Sequence, residues 1–494
     1  MNEKNNSQNL LFDEAINYHL KGNYSSALKV YKQILKKNPN LVAVYNNIGL
    51  IQKELGQSKK ALKSFLNALN INSNFVEAHN NVAIIYEEME EYEKGIYHCK
   101  QAITINPDFA KAYNNLGSLY DEIGETNLAI KNFKKSIELD PQLIESYNNL
   151  GSIFRYSGNY IDAKKYYQKG ISQNKNYFKI RKNLGLLYLL LSDYEKGFEE
   201  FEWRIKEKSK KEYINPNINS SLWKGENLNM KTILVLSEQG IGDIIQFVRY
   251  IYELQDKYKA KIIFRTHKKL VNLFINNKFQ IISTEQKIPK HDYHIFLMSL
   301  PKFHYQREKV LLKNNCFIKK DEKILLKLKK KLSKFDSPKI GINWQGNQFH
   351  GADKYRSIPL NFFETLFELN GINYINLLKN YGEEQIKNFK YKDRLINFSA
   401  NVDNNENSFE DTKEIIRNLD LVITSCTAIA HLSSTMNIKT WILISYSPDW
   451  RWFLDKKTTY WYDTAKLFRQ KKDGDWINVF KDVKKELLKE FFNI

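Results

Sequence analysis

Cysteine, proline and long apolar runs are all scarce in this chain of 494 residues. The three cysteines, Cys99, Cys316 and Cys426, lie far apart and lack the spacing of a metal site, so they indicate a reducing, cytoplasmic compartment. No apolar run approaches the roughly 20 residues that span a bilayer, and the polar start MNEKNNSQN does not have the pattern of a signal peptide. The sequence therefore predicts no transmembrane segment and no metal ion.

Arginine is also scarce, since it supplies only 11 of the 76 basic residues that give a formal net charge of +20. A charge of this size would ordinarily point to nucleic acid or to an anionic membrane. Lysine, however, is spread through every segment alongside abundant asparagine and isoleucine. We interpret the charge as a compositional bias and expect no nucleic-acid partner, with a polyanion site as the alternative.

A 34-residue period is the strongest pattern that the sequence does contain. In each copy an asparagine stands two positions before a glycine or alanine, and an aromatic residue or histidine stands four before that small residue in four of five copies. An earlier copy lies around residues 15–39. This alternation of small and large residues is that of the tetratricopeptide repeat, and it predicts a superhelix of helix pairs over residues 8–211 in six repeats. The repeated asparagines are Asn47, Asn81, Asn115, Asn149 and Asn183.

These five asparagines occupy equivalent positions on the first helix of each unit, so they should line one face of the array. An asparagine side chain carries a donor and an acceptor and can pair with an extended peptide whatever its sequence. The array resembles that of protein O-linked N-acetylglucosamine transferases, which implies a protein or peptide in the groove. The alternative is that each asparagine satisfies neighbouring helix groups.

The repeat pattern ends in a polar connector over 212–230, after which apolar strands and amphipathic helices alternate. Such alternation predicts parallel sheets with helices on both faces. A lysine-rich helical stretch over 320–334 separates two halves, 231–320 and 335–494. We expect that stretch to be a solvated helix between the halves, with contact to a membrane surface as the alternative.

The first candidate site is the turn EQGIGD after the first strand of this region, where open α/β folds place their ligands. Gly240 and Gly242 would let a substrate approach the backbone. Asp243 stands at the helix start and could accept a proton. Its alternative, compatible role is that of an ordinary helix cap.

A second loop, with Trp344 and Gln345, follows the strand KIGIN, and Arg356 stands shortly before a helix that begins at a proline. Lysine is the usual cation in this chain, so an arginine in a loop is informative. Its guanidinium can grip a diphosphate bidentately, whereas a surface salt bridge is the alternative.

The third candidate is the start of a helix after the strand LDLVIT, with Cys426, Thr427, Ala428 and His431. Hydroxyls and free backbone N–H groups at a helix N-terminus can bind an anion. His431 lies one turn further and could reach the same ligand or simply pack in the helix.

The fourth candidate is the loop SYSPDWRW, which contains Asp449 and Arg451. Its aromatic residues could stack on a base or a sugar. They could equally form a hydrophobic latch between the two halves.

Taken in order, the motifs EQGIGD, MSLP, INWQGN, RSIPL, TAIAHL, PDWRW and LFRQ resemble glycosyltransferase family 9, the heptosyltransferase-like family, over about residues 203–476. The resemblance implies a GT-B fold, two Rossmann-like halves that bind a nucleotide-sugar donor as co-substrate, without a metal or other cofactor. It implies that Asp243 is the general base on an acceptor hydroxyl. Thr427 and Arg356 would stabilise the departing diphosphate.

One residue departs from the family pattern, because Cys426 stands where many relatives have an acidic residue that touches the donor sugar. The usual donor therefore cannot be inferred. The expected function is transfer of a sugar to a hydroxyl, with the repeats recruiting a protein. The alternatives are a non-catalytic repeat scaffold with a degenerate transferase fold and an enzyme that acts on saccharides at a membrane surface.

Overall fold

The computed structural model describes residues 2–207, 218–275, 279–313, 316–349, 353–398, 402–403 and 409–494. The chain divides into two compact units, one of Met1–Arg155 and Asn159–Ile180, the other of Tyr156–Gly158 and Arg181–Ile494. The continuous part of the second unit thus begins at Arg181, inside the last of the six predicted repeats. The end of the predicted array and the start of the predicted connector, residues 208–217, lie outside the described residues.

The N-terminal part of the chain consists of helices joined by short turns, as the 34-residue period predicts. A short 3-10 turn, Glu202–Lys206, follows the last of them. The helices are α1 (Asn2–Leu20), α2 (Tyr24–Lys37), α3 (Val42–Glu54), α4 (Ser58–Ile71), α5 (Val76–Glu88), α6 (Tyr92–Ile105), α7 (Ala110–Glu122), α8 (Thr126–Leu139), α9 (Ile144–Tyr156), α10 (Tyr160–Gln173), α11 (Phe178–Leu190) and α12 (Tyr194–Phe201).

Small residues of one helix receive an aromatic ring from the next helix. A Cβ atom built on Gly49 would lie 2.5 Å from Cε1 of Phe65, and one on Gly151 would lie 2.5 Å from Cε1 of Tyr167. Both distances are too short for a real side chain, so these positions require glycine. The small-and-large pattern of the repeat is therefore a packing pattern between paired helices.

The first sheet of the second unit is entirely parallel, with strand order β1-β5-β2-β3-β4. Its edge strand β1 comes from the predicted connector, which therefore contributes to the sheet. The strands are β1 (Ser221–Leu222), β2 (Thr232–Leu236), β3 (Lys261–Thr266), β4 (Gln280–Ser283) and β5 (Tyr293–Phe296), and the helices are α13 (Ile241–Phe247), α14 (Arg249–Tyr258) and α15 (Leu300–Glu308).

The second sheet has strand order β11-β12-β10-β9-β6-β7-β8 and is parallel except for the β11–β12 pair. Its strands are β6 (Lys339–Asn343), β7 (Asn373–Asn376), β8 (Leu395–Ile396), β9 (Leu421–Ser425), β10 (Thr440–Ile444), β11 (Thr458–Thr459) and β12 (Tyr462–Arg469). Its helices are α16 (Glu322–Leu332), α17 (Asp353–Arg356), α18 (Glu364–Phe367), α19 (Glu410–Ile416), α20 (Ala428–Thr435) and α21 (Trp476–Phe492).

The central strands β9 and β10 are buried at every position. A parallel sheet covered on both faces requires such continuous apolar strands. Polar side chains therefore concentrate beyond the carboxyl ends of the strands, where the loops emerge.

The lysine-rich helix α16 buries its apolar side. Leu328 and Leu332 are 5% and 1% exposed, whereas Leu326 is 62% exposed among lysines that face solvent. This burial pattern fits the expected solvated helix and leaves little apolar surface for a membrane. Within the described ranges, no helix is long and apolar enough to cross a bilayer.

Candidate active site

Loops at the carboxyl ends of β2, β6, β9 and β10 meet in the second unit, where helices α13 and α20 begin close together. A Cβ atom on Gly242 would lie 2.9 Å from Cδ2 of His431 and 3.4 Å from Cα of Ala428. We expected Gly242 to admit a substrate. In the structure the lack of a side chain at Gly242 instead allows α20 to pack closely against α13.

Asp243 uses both carboxylate oxygens. Oδ2 accepts a hydrogen bond from the backbone N–H of Gly240 at 2.9 Å, which is the helix-capping role. Oδ1 accepts from Nη2 of Arg451 at 2.5 Å. The Asp243 side chain is 24% exposed. The carboxylate is thus accessible to solvent, and it is held in place by two donors.

Arg451 is buried, and its guanidinium lies over the rings of Phe247 and Trp450. It donates to Asp449 at 2.8 and 3.0 Å and to Gln246 Oε1 at 2.6 Å. Burial opposes the charge, but the attraction of Asp449 and Asp243 outweighs it and raises the pKa of Arg451. The charges of Asp449 and Arg451, which were predicted to bind a donor, therefore neutralise each other. Arg451 also links the two sheet regions through Asp243 and Gln246.

The two tryptophan rings of this loop pack against protein, whereas its third aromatic residue, Tyr446, is 38% exposed. Trp450 is 3% exposed and Trp452 is fully buried. Trp452 stacks on His431 with ring centroids 5.2 Å apart and donates from Nε1 to Sγ of Cys426. Of the two interpretations of SYSPDWRW, the structure favours the latch.

Burial keeps both Cys426 and His431 uncharged near neutral pH. It raises the pKa of the Cys426 thiol to about 11. It lowers the pKa of His431 to about 3, and the positive charge of Arg451 adds to the effect. Nδ1 of His431 is 2.9 Å from the hydroxyl of Tyr462. His431 is therefore a packed helix residue, and a thiolate at Cys426 is disfavoured.

Arg356 lies beside the turn between β9 and α20, as a diphosphate site would require. Its Nη1 is 3.5 Å from the carbonyl oxygen of Cys426, and Nε donates to Asp353 at 3.2 Å. A Cβ atom on Gly346 would lie 2.8 Å from Nη2 of Arg356 and 3.3 Å from Cγ2 of Thr427. Two segments distant in sequence thus bring the guanidinium of Arg356 and the methyl group of Thr427 to one small space beside Gly346.

Asn343, at the end of β6, belongs to the motif INWQGN but received no role in the sequence analysis, and the structure places it in this group. Its Nδ2 donates to Oγ1 of Thr427 at 3.0 Å and to Oγ1 of Thr424 at 3.2 Å. The amide holds the β9–α20 turn against β6. The sequence feature that could have identified Asn343 is an asparagine at the end of a buried strand.

Trp344 does not have the ligand-binding position predicted for it, whereas Gln345 is half-buried and its predicted role stays a prediction. Trp344 is fully buried, and its Nε1 donates to the carbonyl of Gly382 at 3.2 Å. Oε1 of Gln345 accepts from Gln385 at 2.9 Å. The indole belongs to the hydrophobic core of the second sheet, with Ile342 and Ile358 among its members, and this correction removes it from the candidate site.

The asparagine series of the repeats pairs from one repeat to the previous one. Asn81 donates from Nδ2 to Oδ1 of Asn46 at 2.8 Å, and Asn115 donates to Asn80 at 2.7 Å. The acceptors are buried and the donors half-buried. These contacts stabilise the stacking of successive repeats.

Similar hydrogen bonds are made by the asparagines of the repeats before and after these two pairs. Asn149 donates to Asn114 at 3.3 Å, and Asn47 donates to the hydroxyl of Tyr31 at 3.2 Å. Asn183 is also half-buried. Most asparagines of the series therefore use a side-chain N–H in a hydrogen bond within the array. Such contact with neighbouring helices is the alternative to partner binding.

Replacing Asn115 with alanine should lower the free energy of unfolding of the repeat region by about 1 kcal/mol, because the buried Oδ1 of Asn80 loses its donor. Urea unfolding followed by circular dichroism measures this change. Asn132→Ala is the control, since Asn132 is half-buried like Asn115 but donates to the carbonyl of Leu128 within its own helix. Equal stabilities of the two variants would show that the contact between repeats contributes nothing.

Residues 17–177 match the tetratricopeptide repeat family, in segments 17–56, 42–75, 76–109, 110–143 and 144–177. The N-terminal region therefore consists of tetratricopeptide repeats, which fit a peptide or protein partner. Among curated proteins, Protein FlbA of Caulobacter vibrioides is 20% identical over 281 residues, 51% of this chain and 46% of FlbA. The chain thus spans about half the length of this relative.

Solved structures similar to this chain include MamA, with 27% identity, a TM-score of 0.29, and coverage of 33% of this chain and 94% of MamA. A thermophilic TPR protein of Thermus thermophilus has 19% identity, a TM-score of 0.34, and coverage of 37% and 99%. PilF of Pseudomonas aeruginosa has 17% identity, a TM-score of 0.37, and coverage of 42% and 94%.

Proposed function

We propose that this chain is a cytoplasmic glycosyltransferase-like protein with a GT-B arrangement of its two sheet regions. It would transfer a sugar from a nucleotide-sugar donor to a hydroxyl group, and its repeats would recruit the protein substrate or partner. The observation that carries the proposal is the position of Arg356 beside the β9–α20 turn. A cation, a hydroxyl and a helix start at the carboxyl end of parallel strands favour a phosphate ligand.

In this proposal the donor diphosphate lies against the backbone N–H groups near Ala428 and the guanidinium of Arg356. Thr427 would add its hydroxyl, which Asn343 holds in place. These donors are preorganised, so they would stabilise the negative charge that develops on the diphosphate as the bond to the sugar breaks.

Asp243 would take the proton of the acceptor hydroxyl. Its two oxygens already accept from Gly240 and Arg451, but a carboxylate has about four lone-pair sites and can accept further bonds. The two bonds fix the orientation of the carboxylate. Arg451 and Gly240 are therefore positioning groups in this scheme, and Arg451 does not need to contact the donor.

A non-catalytic scaffold is the second candidate. It is favoured by Cys426 in place of the family's acidic residue, and by the close packing of Gly242 against α20. In that case the sheet region keeps a transferase fold only, and the repeats carry the function of the protein.

Titration calorimetry of the full chain with UDP-, GDP- and ADP-sugars distinguishes the two candidates. We expect one nucleotide class to bind with a dissociation constant in the micromolar to millimolar range typical of enzyme substrates. A scaffold should bind none of them. The donor that binds then identifies the nucleotide for transfer assays.

A further inference from the structure

A buried ion pair joins the end of the repeat helices to the first loop of the candidate site. Arg204, in the 3-10 turn after α12, is 1% exposed, and Glu238, after β2, is 4% exposed. Nη2 of Arg204 donates to Oε1 of Glu238 at 2.6 Å, and Nε lies 3.1 and 3.2 Å from the two carboxylate oxygens. The geometry is that of a bidentate arginine–carboxylate pair, which is directional as well as charged.

Further hydrogen bonds complete the surroundings of this pair. Nη1 of Arg204 donates to Glu202 at 2.6 Å, while Nη2 also donates to Oγ of Ser299 at 2.8 Å. The hydroxyl of Ser299 donates to Glu202, and the backbone N–H of Met298 donates to Glu238 at 3.2 Å. Three segments that are far apart in sequence are thus held at one point.

Glu238 is the second residue after β2, in the loop that leads to Asp243. The next residue, Gln239, has a φ of 65°, a left-handed conformation that costs a non-glycine residue free energy and persists only where its surroundings enforce it. Gly240 follows, and its N–H donates to Asp243. The loop therefore has an anchored side chain at its start and a strained residue next to it.

The last repeat helix also contacts both sheet regions of its unit. The ring of Phe198, on α12, lies 6.0 Å from that of Tyr305 on α15 and 6.1 Å from that of Trp450 in the latch loop. Phe198 is itself 3% exposed. Helix α12 and its 3-10 turn are accordingly part of the core of the sheet unit.

We propose that Arg204 is a positioning residue for the candidate active site: by holding Glu238 it fixes the loop 238–242 and the carboxylate of Asp243. The final repeat helix and its 3-10 turn then belong to the transferase machinery as well as to the repeats. The role of Asp243 in transfer rests on the proposed function, whereas order in the loop can be measured without a substrate.

The test must separate positioning from simple loss of stability. Removing Arg204 alone leaves a buried carboxylate without its partner, which is strongly destabilising, whereas removing both charges is often tolerated. We therefore choose the double variant Arg204→Met/Glu238→Gln in the full chain. The amide of the second substitution can still accept from Met298.

Hydrogen exchange of peptides that cover residues 237–247 is the measurement. We expect at least tenfold faster exchange in the double variant than in the natural chain. The matched control is Arg181→Met, which breaks the bidentate pair of Arg181 with Glu200 (2.6 and 2.7 Å) and should leave exchange in this loop unchanged. Unchanged exchange in a folded double variant would overturn the proposal.

Arg204→Lys gives a second variant, because it keeps the charge but replaces the fork with a point charge. It should fold and show exchange between that of the natural chain and that of the double variant. If neither variant folds, Arg204 is a residue of general stability and the positioning role is rejected.

If transfer is detected, Arg204→Lys should lower kcat about tenfold with little change in KM for the donor, whose proposed contacts lie on the second sheet. An equal loss of donor binding would contradict positioning through Asp243. If the natural chain shows no transfer at all, the proposed function fails, and the exchange measurement still decides the role of Arg204.

Discussion

Replacing Asp243 with asparagine should lower the rate of sugar transfer by about a hundredfold or more, the scale of losing a general base. An amide cannot take the acceptor's proton, but its oxygen can still accept from the N–H of Gly240. Asparagine also caps helices as well as aspartate does, so the fold should survive. The measurement is kcat with the donor that calorimetry identifies, together with the thermal midpoint of unfolding.

Asp475→Asn is the matched control for this variant. Asp475 caps helix α21 by accepting from the backbone N–H of Asn478 at 3.2 Å, and the proposed reaction does not use it. Its replacement should leave kcat unchanged. Turnover at the natural rate in the Asp243 variant would remove this carboxylate from the mechanism.

Replacing Arg356 with methionine should weaken binding of the nucleoside diphosphate by about 10- to 100-fold. A hydrogen bond to a charged group contributes about 1.5–3 kcal/mol, and each 1.4 kcal/mol changes a dissociation constant tenfold. Methionine keeps an apolar stem and removes the guanidinium, whose Nη2 and Cζ are the atoms nearest to Gly346. Titration calorimetry with UDP, GDP and ADP measures the loss.

The control for Arg356 is Arg394→Met in the same sheet region. Arg394 donates to the backbone carbonyls of Phe367 and Leu369 and has no part in the proposed site. Its variant should bind the nucleotide like the natural chain. Equal affinities for the natural chain and the Arg356 variant would argue against a diphosphate beside this guanidinium.

The repeat region could be predicted because its contacts are local. Each 34-residue unit contacts its neighbours, so a glycine such as Gly49 and its aromatic partner Phe65 lie close in sequence and show the packing directly. The donor and acceptor of each asparagine pair lie in adjacent repeats. Nothing in the repeat pattern indicated, however, that the preceding asparagines, such as Asn46 and Asn80, would be the acceptors.

The α/β region was predictable in outline for a different reason. Strand–helix alternation predicted the parallel sheets. The resemblance to glycosyltransferase family 9 implied that Thr427 and Arg356 would stabilise the same diphosphate and so lie close together. Arg356 does lie next to Thr427. The position of each side chain was less accessible, since a tryptophan after a strand can line a site or fill the core, and Trp344 fills the core.

Ion pairs between residues far apart in sequence could not be predicted from the sequence. Arg451 is bonded to Asp243 and Arg204 to Glu238, each across a long stretch of sequence and between different elements. Residue type says that a buried arginine needs an acceptor, but it does not say which one. The first pair fixes the SYSPDWRW loop against helix α13, and the second joins the 3-10 turn after the last repeat helix to the loop after β2.

The proposed transfer reaction depends most on where the donor diphosphate binds. A crystal structure of the full chain soaked with the nucleotide-sugar that binds in calorimetry tests this directly. We predict phosphate oxygens within hydrogen-bond distance of the guanidinium of Arg356 and of the backbone N–H groups near Ala428. Density for the diphosphate at another place, or none at saturating ligand, would contradict the account and leave a repeat scaffold.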